Sequence, residues 1–61
     1  MNERRIRALI AEDEAPARDS LREYLAGTPW IEVVAEAADG RSALALAEEH
    51  KPDLLFLDVR L

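Results

Sequence analysis

Several residue types that help small proteins to fold or to do chemistry are missing or rare in this chain. There is no cysteine among the 61 residues, so disulfides and thiolate metal sites are excluded, and a reducing compartment such as the cytoplasm is compatible with the sequence. No apolar run approaches the roughly 20 residues of a membrane span, and the charged start MNERRIRALIAEDE does not resemble a signal peptide. A domain of this length buries only roughly 60% of its unfolded surface. We therefore expect limited stability and no contact with a membrane.

Positive charge is also scarce. Thirteen acidic residues oppose eight basic ones and give a net charge of −5, which argues against non-specific nucleic-acid binding by this segment. The one basic cluster, formed by Arg4, Arg5 and Arg7, precedes an apolar run. We interpret it as a solvated strand entrance, with a phosphate-binding arm as the alternative.

Three short apolar runs are typical of strands. The first, residues 6–11 (IRALIA), has strand length and is followed by three acids. The second, residues 30–37 (WIEVVAEA), alternates in a way that suits a strand near a sheet edge with one face partly wet. The third, residues 53–58 (DLLFLD), is apolar on both faces, which predicts a central strand of a parallel sheet.

Two segments between these runs predict helices. Pro16 suits a first helical turn, and Gly27 is placed to end the helix as a residue able to adopt positive φ. Between them runs an apolar stripe at helical spacing, formed by Ala17, Leu21, Tyr24 and Leu25. The second segment, RSALALAEEH, is strongly helix-forming and has to end near Lys51, because Pro52 disfavours helix in the residue before it.

Alternating strands and helices at these intervals predict an α/β fold, βαβαβ, with a parallel sheet and right-handed crossovers. Ligands of such sheets bind at the carboxyl ends of the strands. The first strand ends at Glu12 and Asp13 and the third at Asp58, so the three carboxylates converge if these strands are neighbours. Repulsion among them calls for a cation, and oxygen ligands without cysteine or paired histidines select Mg²⁺ or Mn²⁺.

A simpler interpretation of the acids competes with the metal site. Acids after a strand are often solvated loop residues or charges favoured at a helix N-terminus, and we adopt that interpretation for Glu14. For Glu12 and Asp13 taken alone, both interpretations stay open. The joint pattern of two strand ends, with no helix start visible behind Asp58, favours the metal site.

At these residues the chain resembles the receiver domain of two-component response regulators. The segments ALIAEDEAPAR and VVAEAADGRSALALAEEHKPDLLFLDVRL carry the acidic pair, the helix entry and the phosphoacceptor strand of that family in order and spacing. The resemblance implies a flavodoxin-like (CheY-like) receiver fold with a parallel sheet ordered 2-1-3 and helices on opposite faces. The segment DEAPARDSLREYLA further resembles receivers joined to LytTR-type DNA-binding domains.

The resemblance also implies a role for individual residues. Asp58 matches the phosphoacceptor that takes a phosphoryl group from a sensor histidine kinase, and it is itself a metal ligand. Asp13 matches the direct Mg²⁺ ligand, and Arg60 matches the position whose backbone carbonyl binds the metal. Glu12 matches the first acid of the pair, usually Asp, which acts mainly through water. The family implies a cytoplasmic signalling protein that is a phosphoacceptor and not a turnover enzyme.

The resemblance covers only part of a receiver domain. Residues 1–61 match its N-terminal half, and the strand-end Ser or Thr and the strand-end Lys of the second half are missing. Lys51 is no substitute, because it precedes the third strand at the opposite end of the sheet. We expect a truncated receiver, with nucleic acid bound only through a domain that is not present here.

Two functional hypotheses therefore remain: a phosphoacceptor domain, and an inert half-domain that acts only as a folding or self-assembly module. A homo-oligomer is expected for the truncated chain, because the third strand would have a bare edge and the stripes Leu21/Leu25 and Leu44/Ala47 would be exposed.

Other interpretations have weaker support. A haloacid-dehalogenase-type phosphatase needs a second Asp where this chain has Arg60. Catalysis by His50 is disfavoured, because a cation is welcome in the last turn of a helix. Trp30 and Tyr24 are interpreted as packing residues at an element junction.

Overall fold

The computed structural model describes residues 4–58, except the side chain of Asp58. The predicted order of strands and helices is confirmed. The elements are β1 (Ile6–Glu12), α1 (Ala15–Ala26), β2 (Ile31–Ala37), α2 (Gly40–His50) and β3 (Leu54–Asp58). The observed bounds lie within two residues of the predicted ones.

The three strands form one parallel sheet in the order β2-β1-β3, which confirms the predicted topology. Within the described residues, β1 is the central strand and β3 pairs with β1 alone. Within residues 4–58, β3 therefore lies at an edge of the sheet, as the predicted order 2-1-3 and the bare edge expected for the third strand require. Three of its leucines are exposed, by 39% at Leu54, 46% at Leu55 and 60% at Leu57.

Both faces of β1 are covered by a helix. Leu9 and Ile10 are fully buried, and neighbouring residues of a strand point to opposite faces. Leu9 belongs to a core cluster with Ala37 and with Ala43 of α2. Glu36 points to the other face and meets Arg22 of α1. The helices thus lie on opposite faces of the sheet, as predicted.

The exposed residues of α1 and its loop correct two predictions. Leu25 is 2% exposed, so the Leu21/Leu25 stripe is not an open surface, whereas Tyr24 is 74% and Trp30 59% exposed. Consecutive helical residues are about 100° apart around the axis. When Leu25 faces the sheet, Tyr24 therefore points away from β1 and β2. Tyr24 and Trp30 are both exposed, so the prediction that they are packing residues is wrong.

The two helices end differently from each other. At the end of α1, Gly27 has φ −82° and donates its N–H to the Tyr24 carbonyl at 3.2 Å, so the glycine does not use a positive φ. At the end of α2, Lys51 is left-handed, with φ 49° and ψ 60°. The predicted stop before Pro52 is confirmed. Within residues 4–58, neither helix is long and apolar enough to cross a membrane.

Candidate functional site at the carboxyl edge of the sheet

The carboxyl ends of β1 and β3 lie side by side. Glu12 is the register partner of Asp58 in the parallel pairing of these strands, and Asp13 follows Glu12 directly. The backbone therefore brings the three predicted acids to one edge of the sheet. This is the convergence that the sequence predicted on the condition that the first and third strands are neighbours.

The side chain of Glu12 is held inside the turn between β1 and α1. Glu12 is 3% exposed, and its Oε2 accepts the backbone N–H of Glu14 at 3.0 Å. A buried carboxylate requires such hydrogen bonds. Glu12 thus shapes the turn, which is consistent with an indirect role in a metal site.

Asp13 and Glu14 occupy the turn that leads into α1. Asp13 is exposed, and Glu14 is the N-cap residue of the helix in extended conformation, with Pro16 in the first turn. The interpretation of Glu14 as a residue of the helix start is confirmed. Asp13 lies between the end of a strand and the start of a helix, where a negative charge is favoured by the helix dipole.

Arg18 closes this edge from the side of α1. Its Nη1 donates to the backbone carbonyl of Glu12 at 2.9 Å, and its Nε lies 4.0 Å from Oε1 of Glu36. Arg18 is not among the site residues predicted from the sequence. A signal was present, because Arg18 precedes Leu21 and Leu25 by three and seven residues and so shares their inward helical face.

Two further charges near this edge support the helices. Asp39 is the N-cap of α2, and its Oδ1 accepts the Ser42 backbone N–H at 2.7 Å, a hydrogen bond that lowers the pKa of the carboxyl. Arg22 donates to Oε1 of Glu36 at 3.1 Å, and this hydrogen bond raises the pKa of the guanidinium. The first hydrogen bond caps α2, and the second ties α1 to β2.

The opposite, amino edge of the sheet contains Arg7 and the residues at the end of α2. Arg7 donates through Nη1 to the carbonyls of His50 at 2.6 Å and Lys51 at 3.2 Å. Asp53 accepts the Arg7 backbone N–H at 2.9 Å. His50 and Lys51 therefore lie away from the acids. Arg7 is neither a solvated entrance nor a phosphate-binding arm, because it caps the end of α2.

The metal ligands themselves stay a prediction. In the part of the chain that the structure describes, no three His, Asp or Glu side chains are grouped to hold a metal ion. The side chain of Asp58 and the backbone carbonyl of Arg60, two of the predicted ligands, lie outside the described residues. What the fold provides is a common edge for Glu12, Asp13 and the end of β3.

Comparison with known proteins identifies the family. The chain is similar to the transcriptional regulatory protein PdtaR of Mycobacterium tuberculosis, with 53% identity over 55 residues that make up 90% of this chain and 26% of the relative. It is 34% identical to the transcriptional regulatory protein DegU of Brevibacillus brevis over 61 residues, which are 100% of this chain and 26% of the relative. It is also 44% identical, over 57 residues, to a protein-glutamate methylesterase/protein-glutamine glutaminase of Carboxydothermus hydrogenoformans, covering 93% of this chain and 16% of the relative.

The chain thus spans about a quarter or less of the length of these relatives. No solved structure gives a significant match. The family model of the response regulator receiver domain matches residues 8–61. The strand order, the acidic edge and this match agree: the chain belongs to the response regulator receiver domain family.

Proposed function

We propose that this domain is a phosphoacceptor of two-component signalling, in which Asp58 takes a phosphoryl group from a sensor histidine kinase. The observation that carries the proposal is the pairing of β1 with β3, which sets Glu12 opposite Asp58 at the carboxyl edge and Asp13 beside them. Membership of the receiver family supports the assignment of Asp58 as the acceptor.

In the proposed reaction, a carboxylate oxygen of Asp58 attacks the phosphorus of a phosphohistidine on the kinase. A phosphorus–oxygen bond forms and the phosphorus–nitrogen bond breaks. The imidazole nitrogen leaves with the bonding electrons and takes up a proton from solvent water. The protein contributes mainly position and charge to such a transfer. It acts as a substrate of the kinase in this scheme and not as a turnover enzyme.

A hard divalent cation, Mg²⁺ or Mn²⁺, fits the donors at this edge, which are carboxylate and carbonyl oxygens. Asp13, Asp58 and the backbone carbonyl of Arg60 would hold the ion, and Glu12 would act through water. Burial of Glu12 and its hydrogen bond from the Glu14 backbone support that indirect role. The ion, when bound, neutralises charge on the transferring phosphoryl group.

The setting of this domain is part of the proposal. We infer a cytoplasmic response regulator whose receiver controls transcription through a DNA-binding domain outside these 61 residues, without contact with a membrane. Two of the relatives are named as transcriptional regulatory proteins, which supports control of transcription. No comparison tests the LytTR-type subfamily, which stays a prediction. The coding sequence beyond Leu61 would test the output domain and the rest of the receiver together.

The test of the proposed function is phosphorylation by a small phosphodonor with Mg²⁺, followed by mass spectrometry. It uses the receiver with its natural continuation and, separately, the 61-residue chain. We expect a phosphoryl adduct that the Asp58→Asn variant lacks. The matched control is Asp19→Asn, which removes an exposed acid of α1 that pairs with Arg22. An adduct of equal yield in the Asp58→Asn variant would contradict the proposal.

The same experiment separates the alternative of an inert folding module. That alternative predicts a folded protein, by circular dichroism, without an adduct in either form. We expect the 61-residue chain to be phosphorylated poorly, because its one lysine, Lys51, lies at the opposite edge of the sheet and cannot serve as the strand-end lysine of the family. Efficient phosphorylation of the short chain would show that a strand-end lysine is unnecessary.

A further inference from the structure

We propose that Arg18 is a positioning residue for the acid pair, which holds the Glu12–Asp13 peptide in the orientation that metal binding needs. The proposal rests on the proposed function, because it concerns the same edge of the sheet. It assigns a role to a residue of α1 that does not belong to the predicted ligands. It follows from the hydrogen bond that the Arg18 guanidinium donates and from the ion pair that it forms.

The first contact of Arg18 acts directly on the backbone of the acid pair. Nη1 donates to the Glu12 carbonyl at 2.9 Å, and this carbonyl belongs to the peptide bond that joins Glu12 to Asp13. Because the peptide unit is planar, an oxygen fixed in direction also fixes the N–H and the Cα of Asp13. Arg18 thereby restrains the backbone of the predicted direct ligand without touching its carboxylate.

The second contact is an ion pair that restrains the guanidinium. Nε of Arg18 lies 4.0 Å from Oε1 of Glu36, and the Arg18 side chain is only 22% exposed. The same Glu36 carboxylate accepts from Arg22, one turn further along α1. Glu36 is therefore anchored from β2 and α1 together, which restricts the positions that Arg18 can adopt.

The turn is restrained from its other side as well. The Glu12 carboxylate accepts the Glu14 backbone N–H at 3.0 Å, and the Arg18 backbone N–H donates to the Glu14 carbonyl at 2.9 Å. Asp13 is the exposed residue between these restrained neighbours. An exposed ligand on a fixed backbone loses less conformational freedom when a cation binds.

The charge of Arg18 alone would have the opposite effect. A guanidinium beside a group of carboxylates repels a divalent cation, so its removal would raise the affinity for Mg²⁺ if charge were the whole role. A positioning role predicts that removal lowers the affinity, because the turn is released. The sign of the change therefore distinguishes the two roles.

The test compares Mg²⁺ affinity of the wild-type chain, Arg18→Met and Arg18→Lys by calorimetric titration, with urea unfolding of each variant. We expect Arg18→Met to weaken Mg²⁺ binding roughly tenfold, as is common for residues that orient metal ligands. Arg18→Lys should fall between wild type and Arg18→Met, because an ammonium can donate to the Glu12 carbonyl but lacks the planar fork. The matched control is Arg4→Met, which removes an exposed guanidinium paired with Asp53 at the opposite edge of the sheet and should keep the wild-type affinity.

Several outcomes would overturn the proposal. Unchanged or tighter Mg²⁺ binding by Arg18→Met does so, and so does an equal loss in Arg4→Met, which would show a general effect of removing an arginine. If circular dichroism shows that Arg18→Met does not fold, the Mg²⁺ affinity of Arg18→Lys becomes the test. An Arg18→Lys affinity equal to that of wild type would then overturn the proposal. If Asp13→Asn binds Mg²⁺ as tightly as wild type, the proposed metal site is wrong as well. If Asp13→Asn weakens Mg²⁺ binding and Arg18→Met does not, only the positioning role of Arg18 is refuted.

Discussion

The two edges of the sheet contain the same kinds of charged residue in different arrangements. At the amino edge, the Arg7 side chain donates to backbone carbonyls and the Asp53 carboxylate accepts a backbone N–H. At the carboxyl edge, Glu12 and Arg18 also bind the backbone, but Asp13 is exposed and has no hydrogen-bond or ion-pair partner within residues 4–58. Charge that the chain satisfies itself supports the fold, and charge left exposed beside a strand end is available to a ligand.

The largest expected effect on stability is at the amino edge. Arg7→Met removes the donor of two carbonyls at the end of α2, and hydrogen bonds to charged groups contribute about 1.5–3 kcal/mol. We expect the free energy of unfolding to fall by about 2–3 kcal/mol, a large share for a chain of this size. Urea unfolding followed by circular dichroism measures it.

The control for this prediction is Arg4→Met. Arg4 is 77% exposed in its pair with Asp53, and such surface pairs contribute about 0–1 kcal/mol. Both variants should keep the Mg²⁺ affinity of the wild type. Equal unfolding curves for Arg7→Met and Arg4→Met would contradict the stabilising role of Arg7. A loss of Mg²⁺ binding in Arg7→Met would contradict the assignment of metal binding to the carboxyl edge.

The elements of the fold could be predicted because apolar periodicity and Pro and Gly positions act locally. The same rules did not find the long-range contacts. Nothing local shows that Arg7 caps a helix 43 residues later in the chain. The apolar stripe included Tyr24 because spacing gives a helical face but not the width of the sheet that covers it. Lys51, and not Gly27, adopts positive φ.

For the site as well, the sequence predicted the positions of the acids along the strands but not their long-range contacts. Acids at two strand ends and the parallel strand order were enough to bring Glu12, Asp13 and Asp58 to one edge. The spacing of Arg18 to Leu21 and Leu25 gives its inward helical face, but its partner is a backbone carbonyl that has no sequence signature. The orientation of Glu12 toward the Glu14 backbone depends on the same turn.

Self-association of the chain would use a surface other than the two edges of the sheet. Between α2 and β3 lies an apolar groove of about 240 Å³, lined by Gly40, Ala43, Leu44, Ala47, Leu55 and Leu57. Leu44 is 65% exposed there, and burial of one leucine contributes about 1.5–3 kcal/mol. If the 61-residue chain self-associates as predicted, Leu44→Lys should weaken the dimer roughly tenfold or more.

Sedimentation over a range of micromolar concentrations measures this effect. The control is Tyr24→Lys, which changes an exposed residue on the opposite helix and should leave association unchanged. A folded monomer of the wild-type chain at all concentrations would refute the expected homo-oligomer. If Leu44→Lys and Tyr24→Lys weaken the dimer equally, the groove is not the contact surface.

A smaller effect is expected on ligand affinity at the carboxyl edge. Asp13→Asn keeps the shape of the side chain and removes its charge, so Mg²⁺ affinity should fall about tenfold, or about 1.4 kcal/mol. The free energy of unfolding should change by less than about 0.5 kcal/mol, because Asp13 is exposed. Calorimetric titration and urea unfolding give the two numbers. Equal Mg²⁺ affinity would remove Asp13 from the site, and a large loss of stability would make it a structural acid like Asp53.

The smallest effect concerns Asp39, an acid near the carboxyl edge whose observed role is structural. The hydrogen bond from the Ser42 backbone lowers its pKa below the ordinary value of 3.8. The ionised carboxylate therefore stabilises the folded state above that value, and the contribution is lost as the pH falls through the lowered pKa. Asp39→Asn keeps an oxygen that can accept the Ser42 N–H but does not ionise. We expect wild type to unfold at a slightly higher urea concentration than Asp39→Asn at pH 7, and the difference to shrink as the pH falls below 3.8 through the lowered pKa. Since both proteins share all other carboxylates, the difference isolates Asp39. A difference that stays constant between these pH values would mean that the charge of Asp39 does not contribute, and that its cap acts through shape alone.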